Sequence, residues 1–116
     1  MRKNKLYIVV LLMLAVASCA DCEKSIEMNV KPRAGHVKID TIYSRWGDHA
    51  STAENKKYGS KILFNETDFV IGPEIGDSLV KIKGNADYIL YTADSVYVQR
   101  FDCDKGRAII VTSSHR

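Results

Sequence analysis

The sequence predicts an all-β domain, either a small antiparallel sandwich or a barrel of six to eight short strands. Short runs rich in β-branched and aromatic residues recur through residues 36–113, and clusters of glycine, proline, asparagine and aspartate separate them. Hardly any stretch has the 3.6-residue period of an amphipathic helix. Strands with one apolar face need a second layer to cover it, which favours two packed sheets or a closed barrel.

The N-terminal part of this domain carries two predicted strands joined by a turn. Residues 26–30 (IEMNV) and 36–44 (HVKIDTIYS) alternate apolar and polar side chains with the period of two that a half-buried strand shows. One face of the second strand collects Val37, Ile39, Thr41 and Tyr43. Residues 31–35 form the predicted turn, because Pro32 fixes its own φ and Gly35 tolerates positive φ.

Residues 45–59 are the least regular part of the chain. They have no sustained apolar period, yet Ser51 and Glu54 match a capping box, in which serine and glutamate satisfy each other's backbone donors at a helix start. The alternative fold class is therefore α+β, with one short helix near residues 50–58 packed on a sheet. A polar loop over the same residues stays open as well.

The C-terminal half is dense in strand signals. Its predicted strands cover residues 61–64, 68–71, 78–83, 87–92, 95–101 and 107–113. Residues 72–77 (GPEIGD) have the composition of a turn, and residues 93–94 suit a tight hairpin. Residues 104–106 suit a three-residue hairpin loop that places Gly106 in the left-handed conformation.

The first 18 residues have the organisation of an export signal. Arg2, Lys3 and Lys5 give a positively charged start, and the next stretch, residues 6–17 (LYIVVLLMLAVA), carries no charge. This apolar stretch has the length of the central region of a signal peptide, whereas a helix that spans a bilayer needs about 20 residues. The sequence therefore predicts export from the cytoplasm.

Residues 16–19 (Val-Ala-Ser-Cys) resemble the lipobox of bacterial lipoproteins, in which an apolar and two small residues precede an invariant cysteine. The resemblance implies a diacylglyceryl thioether on Cys19, cleavage between Ser18 and Cys19, and acylation of the new amino group. Two or three acyl chains anchor a protein stably, whereas one is marginal. The implied location is the bacterial cell envelope. In some bacterial lineages, an aspartate directly after the lipidated cysteine retains lipoproteins at the inner membrane. Ala20 stands at that position here, which favours the outer membrane, on its periplasmic or surface side.

This resemblance divides the chain into three parts. Residues 1–18 are the predicted lipoprotein signal peptide, residues 19–25 a lipidated tether, and residues 26–116 a single β-rich domain. The alternative is an ordinary secretory signal cleaved near residues 15–17, which would leave Cys19 as a free or paired thiol.

The charge of the chain changes when the predicted signal is removed. The full sequence has 17 basic and 14 acidic residues, and three of the basic ones lie in the signal, so the mature part carries 14 of each sign. A formal net charge of zero gives no argument for binding nucleic acid. We therefore expect no nucleic-acid partner.

The second and third cysteines form a candidate disulfide. With Cys19 assigned to the lipid, Cys22 and Cys103 are the remaining pair, and an exported domain permits disulfides. The chain-entropy model assigns about 4–5 kcal/mol to a bridge that closes a loop of roughly 80 residues. Free thiols, or pairing with another chain, are the alternatives.

Candidate binding residues lie in the irregular segment that contains the only tryptophan. They are Arg45, Trp46, Asp48 and His49. An exposed Trp46 would stack on a sugar ring or anchor a protein partner, and its three polar neighbours would supply hydrogen bonds. The competing interpretation is that Trp46 plugs one end of the barrel while the polar neighbours face water.

No motif in the sequence predicts catalysis, a metal site or a cofactor. The histidines are scattered, and the nucleophile elbow, the zinc-protease motif and the phosphate loop are absent. Asp68 and Glu74 are acidic residues of a kind used in acid–base catalysis, but so many acids make coincidental neighbours common. We therefore expect a non-catalytic, membrane-tethered module with an envelope protein partner: an accessory subunit, an inhibitor or an immunity-type factor. A lipoprotein that binds a glycan or small molecule is the alternative.

Overall fold

The structure is a computed structural model that describes residues 21–44 and 50–116. Over these residues it contains an N-terminal helical segment, eight strands and one 3₁₀ turn. The helical segment covers residues 21–30, an α-helical turn at residues 21–25 followed by the π-helical turn Ile26–Val30. The strands are β1 (Gly35–Lys38), β2 (Thr41–Ser44), β3 (Ala50–Asn55), β4 (Ser60–Asn65), β5 (Ser78–Lys81), β6 (Tyr88–Tyr91), β7 (Ser95–Asp102) and β8 (Arg107–His115), and the 3₁₀ turn is Glu66–Asp68.

The strands form two antiparallel sheets in a sandwich-like arrangement. One sheet has five strands in the order β1-β5-β6-β7-β8, and the other has three strands in the order β2-β3-β4. The predicted all-β class and its antiparallel sandwich are confirmed. Because β1 and β2 follow each other in the chain but belong to different sheets, the chain changes sheet between them.

The core lies between the sheets and combines aliphatic side chains with three aromatic rings. Phe69 packs edge-on against Phe64, with 5.3 Å between ring centroids, and its ring is tilted against that of Tyr88 at 5.0 Å. The buried apolar residues are Val30, Val37, Ile39, Ala53, Ile62, Phe64, Phe69, Leu79, Tyr88 and Leu90. They come from both sheets and from the N-terminal helical segment, so that segment is part of the folded domain.

The two sheets approach each other closely at β1 and β4. A Cβ atom added to Gly35 would lie 2.9 Å from Cγ1 of Ile62 and 3.5 Å from the carbonyl oxygen of Lys61. Such a contact is too short for any residue with a side chain unless Ile62 moves. The glycine thus permits an edge of the five-stranded sheet to pack on the three-stranded one.

The strand predicted over residues 36–44 is divided into β1 and β2. Between them, the N–H of Ile39 donates to Asp77 O at 2.8 Å, whereas the N–H of Asp40 donates to Glu54 O at 3.0 Å. Successive residues thus pair with different parts of the fold, which is how the chain changes sheet. A period of two along the sequence does not reveal this change, because Ile39 remains buried.

The strand predicted over residues 26–30 is wrong, because these residues are helical. The N–H of Lys31 donates to Ile26 O at 2.9 Å, and Ile26 and Val30 face the core while Met28 is 65% exposed. The apolar positions 26, 28 and 30 fit the period of a strand, whereas only 26 and 30, four residues apart, share one side of a helix, and so short a run does not distinguish the two. Tertiary contacts to the core decide between them.

The helix considered near residues 50–58 is also wrong, because residues 50–55 form β3. This strand lies between β2 and β4, and its buried positions are Ser51, Ala53 and Asn55. Small and polar side chains at these positions hide the period of two from a hydrophobicity pattern. The spacing of Ser51 and Glu54 matches a capping box, but the backbone of these residues pairs with β2 and β4 instead.

The strand predicted over residues 68–71 is not present. Asp68 ends the 3₁₀ turn, and the next residues are held by the side chain of Gln99 in β7, which is fully buried. Its Oε1 accepts from the N–H groups of Val70 and Ile71, both at 2.8 Å, and its Nε2 donates to Ile71 O at 2.9 Å. The amide of one side chain therefore takes the place that a neighbouring strand would occupy.

The remaining C-terminal strands are confirmed within a few residues of their predicted bounds. The predicted strand at residues 61–64 is β4, and the last four predicted strands are β5 to β8. Asp102 pairs with Arg107, so the loop between β7 and β8 has four residues rather than three. Gly106 has a φ of 64°, the left-handed conformation expected for it.

The strand registers define two ends of the sandwich. Lys81 pairs with Tyr88 and Tyr88 with Gln99, so the connection at residues 82–87 and the loop at residues 103–106 lie at the same end. This end, which also carries Cys103, is called the disulfide end below. The turn at residues 92–94 and the connection at residues 56–59 lie at the opposite end.

Candidate functional site

A disulfide joins the start of the described chain to the loop between β7 and β8. The structure bonds Cys22 to Cys103, with 6.0 Å between their Cα atoms and 81 residues between them in sequence. Cys22 lies in the helical turn at residues 21–25, a part of the chain predicted as a tether. In the structure, the covalent bond and the helix hold these residues against the domain.

A cleft opens beside this disulfide, between the helical segment and the chain around the 3₁₀ turn. Its volume is about 220 Å³, and it is open to solvent. We call it the disulfide cleft. It is lined by Cys22, Ser25, Ile26, Val30, Asn65, Thr67, Asp68 and Phe101.

Asp68 is the charged group in the disulfide cleft, and only 4% of its surface is exposed. Its Oδ2 accepts a hydrogen bond from the N–H of Asn65 at 3.3 Å, which closes a capping box around the 3₁₀ turn. Burial raises the pKa of Asp68, although the hydrogen bond from Asn65 and the nearby charge of Arg33 act in the opposite direction. Glu74, the acid considered together with Asp68, is exposed on a different segment.

Next to the cleft, a polar contact connects the two sheets through the edge of β4. Arg33 donates from Nη1 to the Tyr88 hydroxyl at 3.0 Å and to Leu63 O at 3.4 Å, and the Tyr88 hydroxyl donates to the same carbonyl at 3.2 Å. The Leu63 carbonyl thus accepts from Tyr88 in the opposite sheet and from Arg33 in the segment before β1. Burial raises the pKa of Tyr88, with the Arg33 hydrogen bond opposing it.

Lys81 is the second buried ionisable group at the disulfide end, with 2% of its surface exposed. Its Nζ donates to the carbonyl oxygens of Arg33 at 3.2 Å and Ile82 at 2.8 Å, and also to that of Asn85. Burial lowers the pKa of Lys81, and the charge of Arg33 lowers it further, whereas Asp87 raises it. Three carbonyls surround the ammonium group, so its role is to hold the connection after β5 in place.

Arg33 and Lys81 were not predicted as site residues from the sequence, although one signal points to Lys81. In residues 78–81 (SLVK), Leu79 and Lys81 stand two positions apart and therefore share a face of the strand. A lysine on the face of a buried leucine must find partners inside the domain. Those partners come from segments far away in sequence, which no local pattern reveals.

Five predicted site residues lie outside the described residues. They are the lipidation candidate Cys19 and the binding candidates Arg45, Trp46, Asp48 and His49. Two described residues flank the segment that holds the four binding candidates. Ser44 precedes it and pairs with Ser51, and Ala50 follows it and pairs with Asn65. Asn65 lines the disulfide cleft, so both flanks of that segment are at the disulfide end.

Comparison with known proteins assigns no relatives: no family model, no curated protein and no solved structure matches the chain. Within residues 21–44 and 50–116, no group of three histidine, cysteine or acidic side chains is placed to hold a metal ion. No helix over the same ranges is long and apolar enough to cross a membrane.

Proposed function

We propose that this chain is a lipid-anchored, non-catalytic lipoprotein of the bacterial cell envelope that acts as a protein-interaction module. Such a module would serve as an accessory subunit, an inhibitor or an immunity-type factor. The lipobox-like residues 16–19 support the anchor, and the all-β fold with an internal disulfide supports a domain exported to an oxidising compartment.

The observation that carries the proposal is the bond between Cys22 and Cys103. The sequence has three cysteines, and a bond between these two means that neither pairs with Cys19. The cysteine at the lipobox-like position is then available for the thioether that the resemblance implies. The disulfide and the lipobox-like residues together support lipidation of Cys19 more strongly than the lipobox-like residues do alone.

The edge strand β8 supports an interaction role. It is the last strand of the five-stranded sheet and is nine residues long, and Ile110 and Val111 are 38% and 41% exposed. An edge strand presents backbone donors and acceptors with which a partner segment can pair. Asp68, Lys81 and Tyr88, which are buried at the disulfide end, have structural hydrogen-bond partners, which favours a scaffold role for them over an active site.

Lipidation is tested by intact mass and fractionation of the full chain expressed in a diderm bacterium. We expect the wild-type protein in the membrane fraction, with an N-terminus at position 19 and the added mass of two or three acyl chains. The matched control is Cys19→Ser, which should remain uncleaved and without acyl chains. A wild-type protein that begins at another residue, or carries no acyl chain, contradicts the anchor.

The interaction role is tested by crosslinking in intact cells, followed by purification under denaturing conditions and mass spectrometry. We expect a specific envelope protein to be crosslinked to the wild-type chain. A second lipoprotein of similar size, expressed to the same level, controls for proximity at the membrane. Recovery of the chain alone, or of the same proteins with both baits, contradicts an interaction module.

A further inference from the structure

We infer that the disulfide end of the sandwich lies against the membrane, so that residues 82–87 and 103–106 face the lipid headgroups and the turn at residues 92–94 points away. This orientation rests on the proposed lipid attachment at Cys19. It goes beyond that proposal because it assigns one surface of the domain to the lipid and leaves the other surfaces to a partner.

The first step of the argument is the reach of the chain between the anchor and the disulfide. A fully extended chain spans at most about 3.6 Å per residue, so the Cα atoms of Cys19 and Cys22 are no more than roughly 11 Å apart. The bond then brings Cys103 Cα within 6.0 Å of Cys22 Cα. The loop that contains Cys103 is thus held close to the attachment point.

The second step is the length of the body. β8 has nine residues and extends from the loop at 103–106 to the opposite end. At roughly 3.3 Å per residue, this strand is about 27 Å long. The opposite end is therefore much farther from the anchor than the tether alone can reach. The two ends differ enough in depth for a short-range probe to distinguish them.

The third step is the contact that prevents the helical segment from swinging away. The N–H of Gly84 donates to Lys31 O at 2.7 Å, and Val30 is buried in the core. The disulfide fixes one end of residues 21–30 and these contacts fix the other. Without the bond, the tether from Cys19 to Ile26 would span up to about 25 Å, close to the length of the body.

Quenching by a nitroxide attached to lipid headgroups measures the orientation. Lys105→Cys and Ala93→Cys place a thiol on exposed positions at the disulfide end and the opposite end, respectively. Each full chain is expressed, purified from membranes after processing, labelled with a fluorophore, and reconstituted into vesicles of phosphatidylethanolamine and phosphatidylglycerol with the nitroxide lipid. We expect loss of most fluorescence at position 105 and little loss at position 93.

Two further variants test whether the disulfide sets the orientation. Cys22→Ser combined with Cys103→Ser removes the bond, and circular dichroism establishes that the variant is folded. Insertion of 20 glycine and serine residues between Ala20 and Asp21 keeps the bond but adds a flexible tether of about 25 Å root-mean-square length. Because the insertion leaves the domain intact, it remains informative if the serine variant does not fold. Each variant should bring the two positions to similar quenching.

Intact mass of each sample separates the two proposals. A sample without acyl chains overturns the lipid attachment and, with it, this inference. An acylated wild-type sample with equal quenching at both positions, or with stronger quenching at position 93, overturns the orientation alone. Unequal quenching that persists in the variant with the long tether also overturns the role assigned to the short link through Cys22.

Discussion

The two ends of the sandwich are built from different chemistry. At the disulfide end, Asp68, Lys81 and Tyr88 are buried ionisable groups whose pKa values are displaced by burial. The same end carries the covalent bond between Cys22 and Cys103. Its stability should therefore depend on pH and on the redox state of the solution.

At the opposite end, hydrogen bonds of neutral side chains replace buried charges. Asn55 donates to Lys38 O at 2.7 Å and accepts from the N–H of Tyr58 at 3.0 Å. In the turn after β6, the Thr92 hydroxyl accepts from the N–H of Ser95 at 3.1 Å. These bonds of Asn55 and Thr92 join neutral groups, so their contribution should not change over the pH range in which carboxyl groups and lysines titrate, whereas the exposed Asp40 carboxylate, which accepts from the N–H of Lys56, adds a charged contact at the same end.

The comparison shows that the two ends of a small domain can respond to different solution conditions. Both ends join segments that are distant in sequence, and at the opposite end Asn55 in β3 reaches Lys38 in the other sheet. The disulfide end combines the helical segment, the edge of β4 and the connection after β5 through buried ionisable groups and a covalent bond. A substitution there removes a partner from a distant segment as well as a side chain.

The largest effect is expected from removal of the disulfide. The Cys22→Ser and Cys103→Ser double variant should lose about 4–5 kcal/mol of unfolding free energy, because the unfolded chain regains the freedom of a long loop. Urea unfolding of residues 19–116, produced without the signal and therefore without acyl chains, measures this loss. Cys19→Ser in the same protein, which keeps the bond, is the matched control. A loss below about 1 kcal/mol would mean that the helical segment is held by its packing alone.

Much of the fold follows from local pattern, and the helical segment shows where this information ends. Strands β5 to β8 have cores of β-branched, aromatic and other apolar residues between clear turn signals, and they are found within a few residues of where they were predicted. Residues 26–30 carry a pattern that suits a strand, but helical backbone places Ile26 and Val30 on the core. Five residues are too few to distinguish the two periods.

The candidate site is harder to predict from the sequence than the fold. Once Cys19 is assigned to the lipid, Cys22 and Cys103 are the only two cysteines left in the sequence, so their bond could be proposed from the sequence. The carbonyl groups around Lys81 Nζ and the amide that Gln99 presents to residues 70–71 depend on contacts across the fold. Those contacts exist only after the sheets have packed.

The next largest effect should follow Gln99→Leu, which keeps the size of the side chain. The N–H groups of Val70 and Ile71 and the carbonyl of Ile71 would each lose their partner. We expect a loss of about 2–4 kcal/mol, because an unsatisfied buried group costs about 1–3 kcal/mol and these groups are partly accessible to water. Urea unfolding measures it, and Thr112→Val on the exposed strand β8 is the control. A loss as small as that of the control would show that Gln99 does not hold residues 70–71.

A smaller effect, with a defined pH dependence, is expected for Lys81→Met. Three carbonyls lose their donor, which should cost about 1–3 kcal/mol at pH 7. Because burial lowers the pKa of Lys81, the folded wild type releases this proton before the unfolded chain does, and its stability rises from the lowered pKa up to the unfolded value of about 10.4. The variant lacks this rise.

The measurement for Lys81→Met is urea unfolding at pH 7 and pH 10, and the opposite end supplies its control. Asn55→Ala removes two hydrogen bonds of neutral groups, so its cost relative to the wild type should be the same at both pH values. The deficit of Lys81→Met should instead grow toward pH 10. A deficit that stays constant would show that the Lys81 ammonium is as well solvated as in the unfolded chain.

The smallest effect at neutral pH is expected for Asp68→Asn. The new amide keeps an oxygen that can accept from the N–H of Asn65 and removes a buried charge. Because burial raises the pKa of Asp68, the folded wild type holds its proton longer than the unfolded chain, and it loses stability as pH rises from the unfolded value of about 3.9 through the raised one. The variant avoids this loss, so it should match or exceed the wild type at pH 7 and lose that advantage at pH 3.

Urea unfolding of Asp68→Asn at both pH values tests this, with Glu66→Gln at an exposed neighbouring position as the control for net charge. A variant that is less stable than the wild type only at pH 7 would mean that Arg33 and Asn65 stabilise the Asp68 carboxylate by more than its burial costs.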